Sequence, residues 1–212
     1  MKTVVFVLQS GFAIGNWYWD NFIQNMLCDC EYAYLDNFNQ SIYGADCVFV
    51  GVGHSLGFAK LISAKNINFD ILVGIQAFVN FCGFDARLRT VRMNALDAMR
   101  NQYLARGTDV IYEFYDICGI SDMKSMFHET APLETLNDFD MLYRSYKIPV
   151  NTMTIILHSD QDDIVPKSVI QDNFAGISGV NIFHVEHDMH NLGYEKSDTI
   201  FSIIYEIVNE IL

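Results

Sequence analysis

A serine flanked by glycines is the strongest chemical signal in the chain. Residues 53–57 read GHSLG, which is the pattern G-x-S-x-G with Ser55 at its centre. An apolar run over 46–52 precedes the pattern, and a segment with helical character over 58–64 follows it. At such a strand-to-helix turn the serine hydroxyl projects above the edge of the sheet, beside a helix N-terminus that favours developing negative charge. We therefore predict that Ser55 is a nucleophile and that the turn is too tight for side chains at positions 53 and 57.

A serine nucleophile needs a base, and the base needs a carboxylate to orient it. Polar segments that could supply both groups follow two later apolar runs: residues 158–163 follow the run at 152–157, and residues 187–191 follow the run at 180–185. Because the carboxyl ends of parallel strands meet at one edge of a sheet, we expect both segments near Ser55. The chain order is then Ser, Asp, His, as in hydrolases built on such sheets.

The first of these segments offers three aspartates. We prefer Asp162 as the orienting carboxylate, since it stands four residues before Pro166 in the arrangement D-x-x-V-P, and we keep Asp160 as the reserve. The alternative interpretation is that Asp160, Asp162 and Asp163 form a solvated loop or a cation site.

The second segment offers two histidines. We prefer His190 to His187 as the base because it lies further past the strand, in the loop before the last helix. With His184 these residues could also be metal ligands, but their i, i+3, i+6 spacing in a strand-to-loop turn would splay the rings and matches no usual ligand spacing. We therefore expect no metal and no cofactor.

Acyl transfer also needs hydrogen-bond donors for the oxyanion. One candidate is the backbone N–H of Leu56, the residue after the nucleophile. The second is expected from the loop after the first strand, where Gly11 lets the backbone approach and the backbone N–H of Phe12 would donate. The Phe12 ring can pack in the core at the same time, since the donor belongs to the main chain.

Short apolar runs alternate with helical segments, which predicts a mostly parallel sheet with helices on both faces. The predicted strands are 3–8, 32–35, 46–52, 69–77, 152–157 and 180–185, and further predicted helices are 16–28 and 198–212. A helical stretch of about 65 residues, 84–148, interrupts the alternation and is too long to be a simple connection. We predict that this stretch, the lid segment, is an insertion covering the site, and that residues 1–83 and 149–212 form the core.

Composition excludes several other functions. The 212 residues are 51% hydrophobic, enough for a core without a metal or disulfide staple, and the formal net charge of −13 disfavours nucleic-acid binding. Five consecutive apolar residues at 4–8 are too few for a signal peptide or a membrane span. Five irregularly spaced cysteines indicate reduced thiols. We expect a cytoplasmic monomer that binds neither nucleic acid nor membrane.

With these residues in view, the chain resembles the α/β-hydrolase superfamily from end to end. Residues 53–57 resemble its nucleophile turn, residues 162–166 its acid loop, and His190 its terminal base. The resemblance implies a trimmed α/β-hydrolase fold in which Ser55, Asp162 and His190 act together.

Within that superfamily the chain is similar to the pimeloyl-[acyl-carrier protein] methyl ester esterases of biotin synthesis. The similarity rests on the helical lid segment, which ends in Leu133, Leu136 and Asp140 followed by Ile148-Pro149. The chain departs from the pattern in two places. Where the family usually has His-Gly-Trp or His-Gly-Phe, residues 10–12 read SGF, so the histidine side chain that braces this loop is missing. The two strands that usually precede the strand before this loop are also absent.

Arginines in the lid segment give an independent indication of the substrate. Residues 87–106 hold five arginines against one aspartate, a net charge of +4, which leaves −17 for the rest of the chain. At about 100° per residue, Arg89, Arg92 and Arg100 share one edge of a helix. Such an edge suits a partner with clustered negative charge, such as acyl-carrier protein with its phosphopantetheine. The alternative is a solvated helix whose arginine stems shield apolar surface.

These patterns together predict a serine carboxylic ester hydrolase, which the resemblance narrows to cleavage of the methyl ester of pimeloyl-[acyl-carrier protein]. A general short-chain esterase or an acyl thioesterase would use the same residues. A non-catalytic binding protein on a hydrolase scaffold is the alternative of another class, against which the order Ser–Asp–His argues.

Overall fold

Six parallel strands form the centre of the molecule in a computed structural model that describes residues 2–27, 30–127 and 132–211. The strand order across the sheet is β2-β1-β3-β4-β5-β6. The strands are β1 (Thr3–Gln9), β2 (Cys30–Tyr34), β3 (Cys47–His54), β4 (Ile71–Ile75), β5 (Met153–His158) and β6 (Val180–His184). The predicted parallel α/β sheet is therefore confirmed. The apolar run at 180–185 forms the sheet edge and is largely exposed, whereas β1, β3 and β4 are buried on both faces.

Eight α-helices surround the sheet among the described residues. They are α1 (Asp20–Gln24), α2 (Leu56–Ser63), α3 (Ala86–Arg106), α4 (Thr108–Cys118), α5 (Pro132–Leu142), α6 (Lys167–Phe174), α7 (Leu192–Glu195) and α8 (Ser197–Ile211). On one face Phe6 of β1 contacts Phe22 of α1 and Phe201 of α8, with ring centroids 5.8 and 5.9 Å away. On the other face α2 meets α6 through Phe58 and Phe174, whose centroids are 6.2 Å apart. Both faces of the sheet are thus covered, as its apolar strands require.

The prediction of a single helix over residues 16–28 is wrong. The chain instead makes a 3-10 turn, Asn16–Trp19, followed by the short α1. Trp17, Tyr18 and Trp19 are all buried. An amphipathic surface helix buries only one face, so it could not bury three consecutive side chains. Residue Cys28, the end of that predicted helix, lies outside the described residues.

The strand order reverses at β1, because β1 pairs with β2 on one side and with β3 on the other. In open parallel sheets the crevice at such a reversal is where ligands bind. The loop after β1 (residues 10–15, the β1 loop) therefore lies beside the turn after β3. The loops after β4, β5 and β6 open at the same edge of the sheet.

The described part of the lid segment contains α3, α4, a 3-10 turn (Ser121–Met126) and α5. The chain enters and leaves this segment at neighbouring positions: Tyr146 N–H donates to Val79 O at 2.8 Å, and Asn80 forms an isolated bridge with Ser145. The side chain of Asp85 caps α3 by accepting from the N–H groups of the first turn. The segment is thus a helical excursion that leaves and rejoins the sheet at one place.

Among residues 2–27, 30–127 and 132–211, no helix combines the length and apolar character that a membrane crossing demands.

Candidate active site

The turn after β3 has the strained geometry that a projecting nucleophile needs. Ser55 has φ 55° and ψ −122° and caps α2, which begins at the next residue. A Cβ at Gly53 would lie 2.5 Å from the backbone nitrogen of Phe58, and a Cβ at Gly57 would lie 2.1 Å from the carbonyl oxygen of Gln9. No side chain fits at either position, as the sequence predicted. Such strain is typical of functional turns.

Asp162 lies in the loop after β5 and is 1% exposed. Its Oδ1 accepts hydrogen bonds from the backbone N–H groups of Ile164 and Val165 at 2.8 and 2.9 Å. These bonds form a local turn before Pro166, which precedes the first residue of α6. They hold the carboxylate in place and leave its Oδ2 for another donor.

That donor is His190, whose Nδ1 lies 2.7 Å from Oδ2 of Asp162. Both side chains are almost wholly buried. Burial alone would raise the pKa of Asp162, but the charge and hydrogen bond of His190 together with the two backbone N–H groups lower it on balance. An ionised carboxylate only accepts, so Nδ1 of His190 carries a proton, and Nε2 is an acceptor whenever the imidazole is neutral.

Ser55 and His190 are not joined by a hydrogen bond in this structure. Within the described residues, Nε2 of His190 is buried and has no hydrogen-bond partner. Its ring contacts that of His54, the residue before Ser55, with centroids 4.7 Å apart. Hydrogen bonds between nucleophile and base are often long before substrate binds. The imidazole is thus in place beside the turn that carries the serine.

The reserve residues lie elsewhere. Asp160 is at the surface, where it forms an ion pair with Lys167 at 2.9 Å. His187 bonds through Nε2 to the side chain of Asn191 at 2.5 Å. His184 lies 3.8 Å from Asp160 on the exposed edge of the sheet. Among the described residues no three His, Cys, Asp or Glu side chains converge on a point that could hold a metal ion.

The β1 loop lies directly against the nucleophile turn. A Cβ built on Gly11 would be 3.1 Å from the Cβ of Ser55. The N–H of Phe12 makes no backbone or side-chain hydrogen bond to the described residues, and the N–H of Leu56 is in the first turn of α2, where helices leave their donors unpaired. The N–H of Ser55 itself is used by Ile75 O at 2.9 Å. Two main-chain donors are therefore free beside Ser55.

A mostly apolar cavity of about 490 Å³ opens above Ser55. Its walls come from the loops at the carboxyl edge of the sheet and from α3 and α4 of the lid segment. The residues that line it on the lid side include Leu96, Met99, Val110, Phe114 and Ile117. A cavity of this size and lining is suited to an apolar ligand.

Two residues at the site were missed by sequence reasoning. Gln76 is fully buried, has φ 48° and follows β4; its Nε2 donates to Met189 O at 2.6 Å and its Oε1 accepts from Leu192 N–H at 2.9 Å. It therefore holds the loop that carries His190 from both sides of the histidine. A polar residue at the carboxyl end of an apolar strand was the signal that could have identified it.

The second missed residue is His54, which is fully buried between two rings. It stacks on Tyr18 at 4.4 Å and contacts His190 on its other side. Burial, reinforced by the charge of His190, lowers the pKa of His54 well below its usual range. His54 is therefore neutral and serves as a spacer between the aromatic core and the base.

The three arginines singled out in the lid segment have different environments. Arg89 is exposed, and Arg100 lies 3.6 Å from Asp140. Arg92 turns inward: its Nε donates to Phe81 O at 2.6 Å, its Nη2 donates to Ile164 O at 2.7 Å, and its guanidinium lies over the Phe81 ring. Arg92 thus fastens α3 to the loop after β4 and to the acid loop, rather than joining a free edge with the other two.

No protein-family model matches the sequence, and no curated protein matches it in a sequence search. Solved structures do match the fold. An esterase, EaEST, from Exiguobacterium antarcticum aligns with a TM-score of 0.74 at 14% identity, over 99% of this chain and 93% of that one. The hydrolase olei00960 from Oleispira antarctica gives 0.70 at 11% identity, over 99% and 92%. MGS-M2, an alpha/beta hydrolase enzyme from a Medee basin deep-sea metagenome library, gives 0.62 at 13% identity, over 98% and 90%.

The chain therefore has the α/β-hydrolase fold. At these identities the likeness establishes the architecture alone, because this fold carries several different chemistries. Function has to be argued from the residues at the site.

Proposed function

We propose that the protein is a serine carboxylic ester hydrolase. The observation that carries the proposal is the buried pair of His190 and Asp162, joined at 2.7 Å, at the same sheet edge as the strained Ser55. A buried imidazole with its Nδ1 fixed by a carboxylate and its Nε2 left open is suited to take a proton from a serine hydroxyl. In the proposed reaction the free N–H groups of Leu56 and Phe12, beside Ser55, would bind the oxyanion.

The proposed reaction proceeds through an acyl-enzyme. Oγ of Ser55 attacks the ester carbonyl while Nε2 of His190 takes its proton, and Asp162 stabilises the imidazolium that forms. The N–H groups of Phe12 and Leu56 hold the oxyanion. Collapse of this intermediate breaks the bond to the alcohol, which leaves with the proton from His190. Water then attacks the acyl-enzyme by the same route and releases the carboxylic acid.

Covalent labelling tests this proposal. We expect a fluorophosphonate to modify the native chain once and peptide mapping to find the label on Ser55. The matched control is Ser159→Ala, which changes a buried serine that accepts a hydrogen bond from Gln76 at 3.3 Å yet should leave labelling intact. A native chain that takes up no label would contradict the serine hydrolase proposal, and a label found on another residue would contradict Ser55 as the nucleophile.

The finer proposal concerns the substrate, which would be a carrier-bound acyl ester, in the sharpest form the pimeloyl methyl ester on acyl-carrier protein. It is supported by the concentration of positive charge in residues 87–106 of a chain with a net charge of −13. Arg87 and Arg89 are exposed near the start of α3, the helix whose later residues, from Arg92 to Gln102, contribute to the cavity lining. An acidic carrier would be repelled by most of the remaining surface.

We expect the double variant Arg87→Glu, Arg89→Glu to slow hydrolysis of a carrier-bound ester by about 10-fold at low salt, since it reverses charges that would steer the carrier. Hydrolysis of p-nitrophenyl butyrate should be unchanged. Arg92→Met provides the contrast: it should slow both substrates, because Arg92 fastens α3 to the acid loop. Steady-state kinetics on the two substrates measure this. Equal rates of the double variant and the wild type on the carrier ester would exclude this docking surface.

A further inference from the structure

Both main-chain polar groups of Ala13, in the β1 loop, are held by the lid segment. The hydroxyl of Tyr115 in α4 donates to the carbonyl oxygen of Ala13 at 2.6 Å. The N–H of Ala13 donates to Oδ2 of Asp138 in α5 at 3.4 Å. Burial raises the pKa of Tyr115, so its hydroxyl remains protonated and acts as the donor.

The same two helices, α4 and α5, also pack against the neighbouring residue, Phe12. Its ring packs edge-on against Phe114 of α4, with centroids 5.4 Å apart, and against Phe139 of α5, with centroids 4.7 Å apart. Each helix therefore supplies two consecutive residues to the β1 loop. One is an aromatic ring against Phe12 and the other is a polar group on Ala13.

These contacts act on a strained residue. Ala13 has φ 53°, a left-handed conformation that non-glycine residues adopt only when their surroundings impose it. Within the described residues only four non-glycine residues have positive φ; three of them, Ala13, Ser55 and Gln76, lie in the loops around the site. The left-handed conformation of Ala13 turns the chain sharply, one residue after the free N–H of Phe12.

A further contact links Asp138 to α2, the helix that follows Ser55. Lys60 of α2 forms an ion pair with Oδ1 of Asp138 at 2.7 Å, and both side chains are largely buried. Asp138 thus touches the β1 loop with one oxygen and the helix behind Ser55 with the other. Inside the loop, Ser10 Oγ donates to Gly15 O at 2.9 Å, which is the one brace that the loop provides for itself through a side chain.

We propose that Tyr115 and Asp138 are positioning residues that hold the Phe12 N–H at the oxyanion through the backbone of Ala13, so that this donor is in place only while the lid segment is docked. The proposal rests on the proposed ester hydrolase function. The family that this chain resembles carries a histidine in the β1 loop where this chain has Ser10. In this proposal α4 and α5 supply the bracing that the histidine would otherwise provide. The lid segment then takes part in transition-state stabilisation as well as covering the cavity.

The variant Tyr115→Phe tests the proposal, since it removes one hydroxyl and keeps the ring that packs against Trp17. We expect kcat for p-nitrophenyl butyrate to fall about 10-fold, less than the loss caused by deleting an oxyanion donor outright, with KM changed less than about twofold. The inhibition constant of a trifluoromethyl ketone, which forms a tetrahedral adduct with the serine, should rise by a similar factor. A merely structural role would not weaken the tetrahedral analogue selectively.

The control is Tyr143→Phe, which removes another hydroxyl of the lid segment, one that donates to Asp97 at 2.5 Å instead of to the β1 loop. It should leave kcat and the inhibition constant unchanged. Asp138→Asn keeps an acceptor for Ala13 and should lose less kcat than Asp138→Ala. Unchanged kcat and ketone affinity in Tyr115→Phe would overturn the positioning role. A wild-type chain without hydrolysis or labelling would instead contradict the ester hydrolase function itself.

Discussion

Replacing Ser55 by alanine is expected to abolish ester hydrolysis, with kcat for p-nitrophenyl butyrate lowered by about 10⁴-fold or more. The reason is that no other hydroxyl can use the open Nε2 of His190 from the strained turn between β3 and α2. The Oγ of Ser55 makes no hydrogen bond to the described residues, so its removal should change the thermal midpoint of unfolding little. Loss of activity with an unchanged midpoint would assign the effect to chemistry.

The experiment requires a serine that is near the site but has no proposed chemical role. Ser159→Ala meets this need, because Ser159 is fully buried beside Gln76 and lies after β5 rather than at the nucleophile turn. We expect its kcat to stay within a few-fold of the wild-type value. Retention of more than about a tenth of the wild-type kcat by Ser55→Ala would rule out Ser55 as the nucleophile, since covalent catalysis cannot survive that loss.

The second large effect is expected for Asp162→Asn, which should lower kcat by about 10³- to 10⁴-fold. An amide keeps the shape of the carboxylate but can present an N–H group to Nδ1 of His190, which would force the proton to Nε2 and remove the acceptor that Ser55 needs. It also leaves the imidazolium without a counter-charge. Steady-state kinetics at neutral pH measure this loss.

The aspartates two residues before and one residue after Asp162 supply matched controls. Asp160→Asn removes a surface carboxylate paired with Lys167, and Asp163→Asn removes an exposed one. Both should keep kcat within a few-fold of the wild-type value. If Asp160→Asn lost as much activity as Asp162→Asn, the assignment of the orienting carboxylate would be wrong.

The lowered pKa of Asp162 also gives the stability a definite pH dependence. Because the ionised carboxylate is favoured in the folded chain, its contribution to the free energy of unfolding is full above the ordinary carboxyl pKa of about 3.9. It is lost as the pH falls through the lower value of the folded state. Denaturant titrations from neutral pH to below pH 4 measure the free energy of unfolding of the wild type and of Asp162→Asn. The part of their difference that comes from the ionised carboxylate should shrink as the pH falls.

Local sequence patterns predicted the sheet and the nucleophile turn because each depends on few neighbours. An apolar strand followed by G-x-S-x-G permits this tight turn, since a side chain at Gly53 or Gly57 would collide with backbone. The choice of Asp162 likewise followed from its place before Pro166, and the structure shows why: its Oδ1 caps the intervening N–H groups.

Patterns failed where a residue's role depends on distant parts of the chain. Arg92 shares a predicted helix edge with Arg89, yet it binds carbonyl oxygens of Phe81 and Ile164, which no helical wheel can reveal. Gln76 binds the His190 loop from 113 and 116 residues away. Contacts of this kind are set by the packing of whole elements, so they become visible only in three dimensions.

The pairing of Val79–Asn80, just before the lid segment, with Ser145–Tyr146, near its end, has a consequence for engineering and for divergence of the fold. A segment whose entry and exit are neighbours can be lengthened, shortened or exchanged as a cassette without rerouting the strands, because closing a longer loop costs little entropy. Such a graft would reshape the cavity above Ser55. Under the positioning role proposed for Tyr115, it would also have to bring a hydroxyl to the carbonyl of Ala13, since a chain without that contact would bind esters and hydrolyse them slowly.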